Sequence, residues 1–187
     1  MSTSGLANES AKLTSKIEPR WWFLTAMVVI GVCSRLLPHP DNFSPILPIA
    51  LFAGASFSGW RSAIGVTMLT MLVSDLFIGL HWTMPIVYAS ICLNILIGHL
   101  FVTTRQPWTV PFGALLGSVQ FFLITNAACL TDFSAAGVAQ CYSSALPFFK
   151  TSLIADMLFS MVLFGVFALV QQMVPALRSN RSMASRG

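Results

Sequence analysis

The 187-residue chain is 56% hydrophobic and only 9% charged, whereas soluble domains average about 25% charged residues. That balance excludes a water-solvated globule, and a mean hydropathy of +0.78 makes lipid the main solvent. The formal charge of +4 sits largely at the ends, with Lys12, Lys16 and Arg20 before the apolar region and Arg178, Arg181 and Arg186 after it. Basic flanks of this kind orient membrane proteins, so no nucleic-acid partner is expected.

Six apolar stretches follow in chain order: Trp21–Leu37, Ile46–Ser58, Ser62–Leu80, Met84–Thr103, Val110–Leu130 and Phe148–Val174. A helix needs about 20 apolar residues to cross the hydrocarbon layer, and most of these approach that length. The first, after Lys12 to Arg20, resembles a signal peptide but has no small-x-small cleavage site, so it is read as a retained helix. The second is short and rich in small residues (Ala50, Ala53, Gly54, Ala55, Ser56), which predicts a tilted, bent or partly spanning helix. Transmembrane β-strands alternate apolar and polar residues, and these continuous runs do not. The predicted fold is therefore an all-α, polytopic membrane bundle of about six helices over 21–174, between tails 1–20 and 175–187.

The breaks carry turn chemistry. Pro38-His39-Pro40-Asp41-Asn42 and Pro45 end the first helix, and Gly59-Trp60-Arg61 makes a tight second connection. His81-Trp82-Thr83-Met84-Pro85 and Arg105-Gln106-Pro107-Trp108 form the third and fourth. The longest connection, Thr131 to Pro147, reads as a polar loop. With both tails in the cytoplasm, eight of the ten lysines and arginines lie inside, leaving only Arg35 and Lys150 outside. All five tryptophans (Trp21, Trp22, Trp60, Trp82, Trp108) fall at helix ends, where an interfacial belt would place them. A bacterial inner-membrane location with both termini cytoplasmic follows as the expectation.

Polar groups concentrate toward the predicted outer side. Arg35 closes the first helix, Asp75 lies near the outer end of the third, Asn126 near that of the fifth, and Lys150 and Asp156 lie in the sixth. His39, Asn42 and His81 occupy outer loops, and Tyr88 starts the fourth helix. Ionisable side chains within a bilayer face the bundle interior or a water-filled cavity, so this set predicts an outward-opening pocket. Structural ion pairs between the aspartates and Arg35 or Lys150 are the competing reading. Asn94 fits an interhelical hydrogen bond or a ligand contact, and Ser152, Asp156 and Ser160 share one helix face. Gly113–Gly117 and Ala50–Gly54 are small-xxx-small motifs suited to close helix packing. Cys129 and Cys141 can both reach the outer side and pair, whereas Cys33 and Cys92 are expected in the core. No metalloprotease helix, phosphate loop or nucleophile elbow occurs. Neither an enzyme activity nor a resident cofactor is expected, and ATP-driven transport would require a partner.

Arg35-Leu36-Leu37-Pro38-His39-Pro40-Asp41-Asn42-Phe43-Ser44-Pro45, Ala50-Leu51-Phe52-Ala53-Gly54-Ala55, Ser74-Asp75-Leu76-Phe77-Ile78-Gly79-Leu80-His81, Thr83-Met84-Pro85 and Pro147-Phe148-Phe149-Lys150 together resemble a family of small, uncharacterised bacterial membrane proteins over residues 21–172. More distantly, the pattern is similar to the S components of energy-coupling-factor (ECF) vitamin transporters. That likeness implies six helices, cytoplasmic termini and an outward pocket gated by the first–second and third–fourth loops. It implies uptake of a small solute, with cobalamin the first candidate and His81 a possible cobalt ligand. Its substrate-binding set would be Arg35, His39, Asn42, Asp75, His81, Tyr88, Asn126, Lys150 and Asp156. The lipid bilayer, the solute, and an energising ECF-type module or further copies of the chain are the partners implied. The AxxxA used for module docking is absent, since Ala26 is followed four residues on by Ile30. An accessory or assembly protein with structural buried charges is the alternative.

Overall fold

A computed structural model describes residues 19–38, 40, 42–57, 60–103, 106–127, 129 and 134–173, with side chains from Ala26 onward. The described residues form six helices and no strand: α1 (Pro19–Leu36), α2 (Ile46–Ser56), α3 (Trp60–Ile78), α4 (Met84–Phe101), α5 (Thr109–Thr125) and α6 (Ala135–Met173). Of these, α3, α4 and α6 are long and apolar enough to cross a membrane, while α2, α5 and the Ala26–Leu36 part of α1 are shorter apolar helices. Lys12, Lys16, Arg178, Arg181, Arg186, Arg105, His39, Asp41, Ser58 and Gly59 lie outside the described residues.

Helix α2 is the hub. At 11 residues it is about 16 Å long, half of a hydrocarbon layer, and it packs against all five other helices. Every residue from Ile46 to Ala55 is buried, which fits a helix apolar on all sides. Phe52 lies edge-on to Phe164 (5.0 Å) and Phe167 (4.9 Å) of α6. Its closest partner is α4, where the backbones approach through glycine. A Cβ at Gly54 would fall on the Ile95 carbonyl, and one at Gly98 on the Leu51 carbonyl. The Ala50–Gly54 and Gly113–Gly117 motifs thus serve packing within the chain.

Lipid offers no hydrogen bonds to stray polar groups, and α3 satisfies its own. Thr67, Thr70 and Ser74 donate to the carbonyls of Ala63, Val66 and Thr70. Between helices, Ser90 donates to Gln120 Oε1 at 3.0 Å and accepts from Gln120 Nε2 through its carbonyl. Asn94 Nδ2 donates to the Leu47 carbonyl at 2.7 Å. Asn94 is therefore an interhelical tie. Trp60, Trp82 and Trp108 are exposed at element ends, as an interfacial belt requires.

Three expectations are corrected. Residues 135–147 are not a loop: they form the first turns of a 39-residue α6 that runs through Pro147. Ser134 starts this helix by accepting the Gly137 N–H on its hydroxyl at 3.0 Å, and Ala135, Ala136, Ala139 and Ala145 favour helix. Pro147 removes one backbone donor, and contacts of Tyr142 and Phe149 with Phe122 hold both sides of it on α5. Helix α5 stops at Thr125 instead of Leu130, because the Asn126 side chain bonds the Phe122 carbonyl at 2.8 Å. Cys33 is exposed on α1 and does not join the core. Cys129 and Cys141 form a disulfide that staples the α5–α6 connection to the first turns of α6.

Candidate functional site

The α1–α2, α3–α4 and α5–α6 connections share one end of the bundle, and a cavity of about 220 Å³ opens there. Arg35 of α1, Asn42 and Ser44 of the following loop, Met71 of α3 and His81 after α3 line one part of it. Phe121 of α5 and Ser152 and Asp156 of α6 line another. The first turn of α2, Ile46 and Leu47, reaches it from below. Asn42 takes the loop around its corner with φ 61, a left-handed conformation that asparagine tolerates. Phe43 seats the same loop on Phe159 of α6, ring centroids 5.4 Å apart.

Two polar centres have different local chemistry. On the α1 side, Arg35 Nη2 pairs with Asp75 Oδ1 at 2.7 Å. Its Nη1 donates to Ser74 Oγ at 2.7 Å and to the Met71 sulfur at 3.1 Å. Tyr88 closes the set by donating to Asp75 Oδ2 at 2.6 Å. Asp75 is fully buried and does not line the cavity. Its partners tie α1, α3 and α4 together, so this half of the predicted set is a structural ion pair with one cavity-facing edge, Arg35.

On the α6 side, Asp156 is 2% exposed and lines the cavity. It accepts hydrogen bonds from Ser118 (2.6 Å) and Ser152 (3.4 Å), both at Oδ2. Among the described residues no cation pairs with it; the ion pair found is Arg35–Asp75. Ser152, Asp156 and Ser160 are all buried on one face of α6, as their spacing predicts, and the Ser160 hydroxyl has no partner among the described residues.

The other predicted residues divide. Asn42 and His81 line the cavity, His81 at its exposed rim. Tyr88 acts through Asp75. Asn126 is spent on the end of α5, and Lys150 is exposed on α6 away from the cavity lining. His39 lies outside the described residues. Among those described, no three His, Cys, Asp or Glu side chains converge to hold a metal ion. Sequence reasoning missed Ser118, Ser44, Val87, Ile91 and Phe121. Ser118 is a lone hydroxyl inside an apolar span, with no periodic partner on α5 to mark its face.

A second, larger and mainly apolar cavity of about 330 Å³ lies toward the other end, bordered by Gly54, Phe57, Trp60, Ala63, Cys92 and His99. Among the described residues no ion pair is found there, and the buried charges lie at the first cavity.

Residues 15–177 match a family described as a family of unknown function, DUF6580. The match spans nearly the whole chain. The chain belongs to the DUF6580 family. No curated protein and no solved structure matches it. In this DUF6580 member the two polar centres, Arg35–Asp75–Tyr88 and Ser118–Asp156–Ser152, meet the cavity through Arg35 on one side and through Ser152 and Asp156 on the other.

Proposed function

We propose that this DUF6580 protein is a six-span inner-membrane protein with both tails in the cytoplasm, which binds a small polar solute in the outward cavity for uptake, in the manner of an ECF S component. One observation carries the reading: a buried carboxylate, Asp156, borders an open cavity without a cation partner among the described residues. Within a bilayer such a group is costly unless water or cargo compensates it. The location of the Cys129–Cys141 bond adds support for the orientation, because it lies at the cavity end and disulfides persist in oxidising compartments. The cavity volume of about 220 Å³ is below the usual range for drug-sized ligands, about 300–1,000 Å³. A corrinoid with its nucleotide loop exceeds that space, so a smaller solute replaces cobalamin as the candidate and His81 is not carried forward as a cobalt ligand.

The test is native mass spectrometry of the protein released from nanodiscs. A small molecule retained by the wild type and lost with Asp156→Asn is the expected result; an empty wild type that also binds nothing from a broad solute library would defeat the reading. An accessory role is the second reading, and the self-contained Arg35–Asp75–Tyr88 set favours it. That outcome would then stand.

Orientation has its own check. A membrane-impermeant reductant applied to intact spheroplasts should open the Cys129–Cys141 bond, exposing two thiols to a maleimide-polymer label. Protection until the membrane is lysed would place the cavity on the cytosolic side.

A further inference from the structure

We infer that the solute is a small organic cation, an ammonium group on a short apolar body, received by the carboxylate of Asp156. This deepens the solute-binding reading and rests on it.

The charge balance among the described residues around the cavity decides the sign. Arg35 is their lining guanidinium, with the His81 imidazole at the exposed rim, and Asp75 already matches the Arg35 charge at 2.7 Å. Asp156 is the lining carboxylate, and both its hydrogen bonds come from neutral hydroxyls. The formal charge left uncompensated is therefore the negative one on α6. Its Oδ2 is occupied twice, while Oδ1 takes no hydrogen bond from the described residues. A carboxylate accepts up to about four bonds, so acceptor capacity remains on a residue that lines the cavity. An anionic solute would face that charge with no unpaired arginine or lysine among the described lining residues to offset it. A neutral one would leave it without a counter-charge, and an ionised group within a bilayer is costly unless water or cargo compensates it.

The amino end of α2 acts in the opposite direction and is weaker. A helix end carries about half an elementary charge, less than the full charge of a carboxylate. The Ile46 N–H already points to Ser44 Oγ at 3.4 Å, and Pro48 has no N–H to offer. Beyond the Ser118 and Ser152 hydroxyls on the carboxylate, the cavity is also lined by apolar side chains: Ile46, Leu47, Val87, Ile91 and Phe121. Phe121 presents an aromatic ring, which also attracts cations. A hydrated inorganic ion gains nothing from such walls; an alkylammonium gains from both.

The experiment is isothermal titration of the full chain in nanodiscs with matched series of solutes, each series one carbon skeleton bearing an ammonium, a hydroxyl or a carboxylate. The ammonium member should bind at least about tenfold more tightly than its hydroxyl partner, the scale of one charge-assisted hydrogen bond, and the carboxylate member should be weakest. Asp156→Asn should abolish that preference and Asp156→Glu should retain it. Equal binding across a series, preference for the carboxylate, or displacement of the ammonium by sodium at equal concentration would overturn the inference. Retention of a neutral or anionic molecule in the mass spectrum would sink the cation while leaving solute binding intact. Absence of binding by every member, in protein that still melts cooperatively, would remove both.

Discussion

Arg35→Met is expected to lower stability by about 3–5 kcal/mol, the cost of leaving a buried charge without its partner. The guanidinium is the sole cation within ion-pair distance of Asp75 among the described residues, and Asp75 has no access to solvent. Methionine fills much of the same volume, so the loss reports charge and hydrogen bonding more than packing. Asp75→Asn alone should cost less, because Tyr88 can still donate to the amide oxygen and Arg35 keeps a route to the cavity. The double variant Arg35→Met/Asp75→Asn should recover most of the loss, since removing both members of a buried pair is often close to neutral. Tyr88→Phe should cost about 1–3 kcal/mol, the range for a buried acceptor losing its donor. Thermal unfolding in detergent, arranged as a double-mutant cycle, checks all four. Additive losses with no recovery in the double variant would show that the pair is not the reason for the instability.

This network explains which parts of the site were readable. Depth along a helix follows from counting residues, and it placed Arg35, Asp75 and Asp156 at one end of the bundle. Azimuth follows only when several polar residues share a period. Ser152, Asp156 and Ser160 repeat every four residues, so their common face was legible. Lys150 is six residues before Asp156, about 120° around the helix and about 9 Å higher, and it faces away from the cavity. Cys33 lies two residues from Arg35, nearly opposite on α1, so an inward arginine turns the cysteine outward. Ser118 was not legible because a serine that back-bonds to its own helix, here to Ala114 at 3.0 Å, costs little in lipid and carries no pattern.

The six helices were legible because apolar runs are separated by proline, glycine and tryptophan clusters. The exception was the amino-terminal third of α6. There Pro147 reads as a stop, but it costs one hydrogen bond in a long helix whose two sides are both anchored to α5. Local rules weigh the proline and cannot see the Phe122 contacts that outweigh it.

The other large effect belongs to the α2–α4 crossing. Gly54→Ala and Gly98→Ala should each cost about 3 kcal/mol or more, at or above the upper end of ordinary overpacking. The added methyl meets backbone in both cases: the Ile95 carbonyl with the His99 nitrogen at 3.0 Å, and the Leu51 carbonyl with its Cα at 3.1 Å. A carbonyl inside a helix cannot rotate aside, so the helices must separate. Because α2 touches every other helix, that separation would also shift Ile46 and Leu47 at the cavity. Gly113→Ala and Gly117→Ala meet side chains, Val102 and Asn94, and should cost less than a clash with backbone, although Gly117→Ala would strain the Asn94–Leu47 hydrogen bond. Gly65→Ala meets nothing within 4 Å and should be neutral or stabilise α3 by about 0.5–1 kcal/mol, the gain of alanine over glycine in a helix. Melting temperature and the yield of monodisperse protein rank the five variants. A Gly98→Ala protein that melts with the wild type would mean that α2 and α4 do not cross as closely as their facing glycines allow.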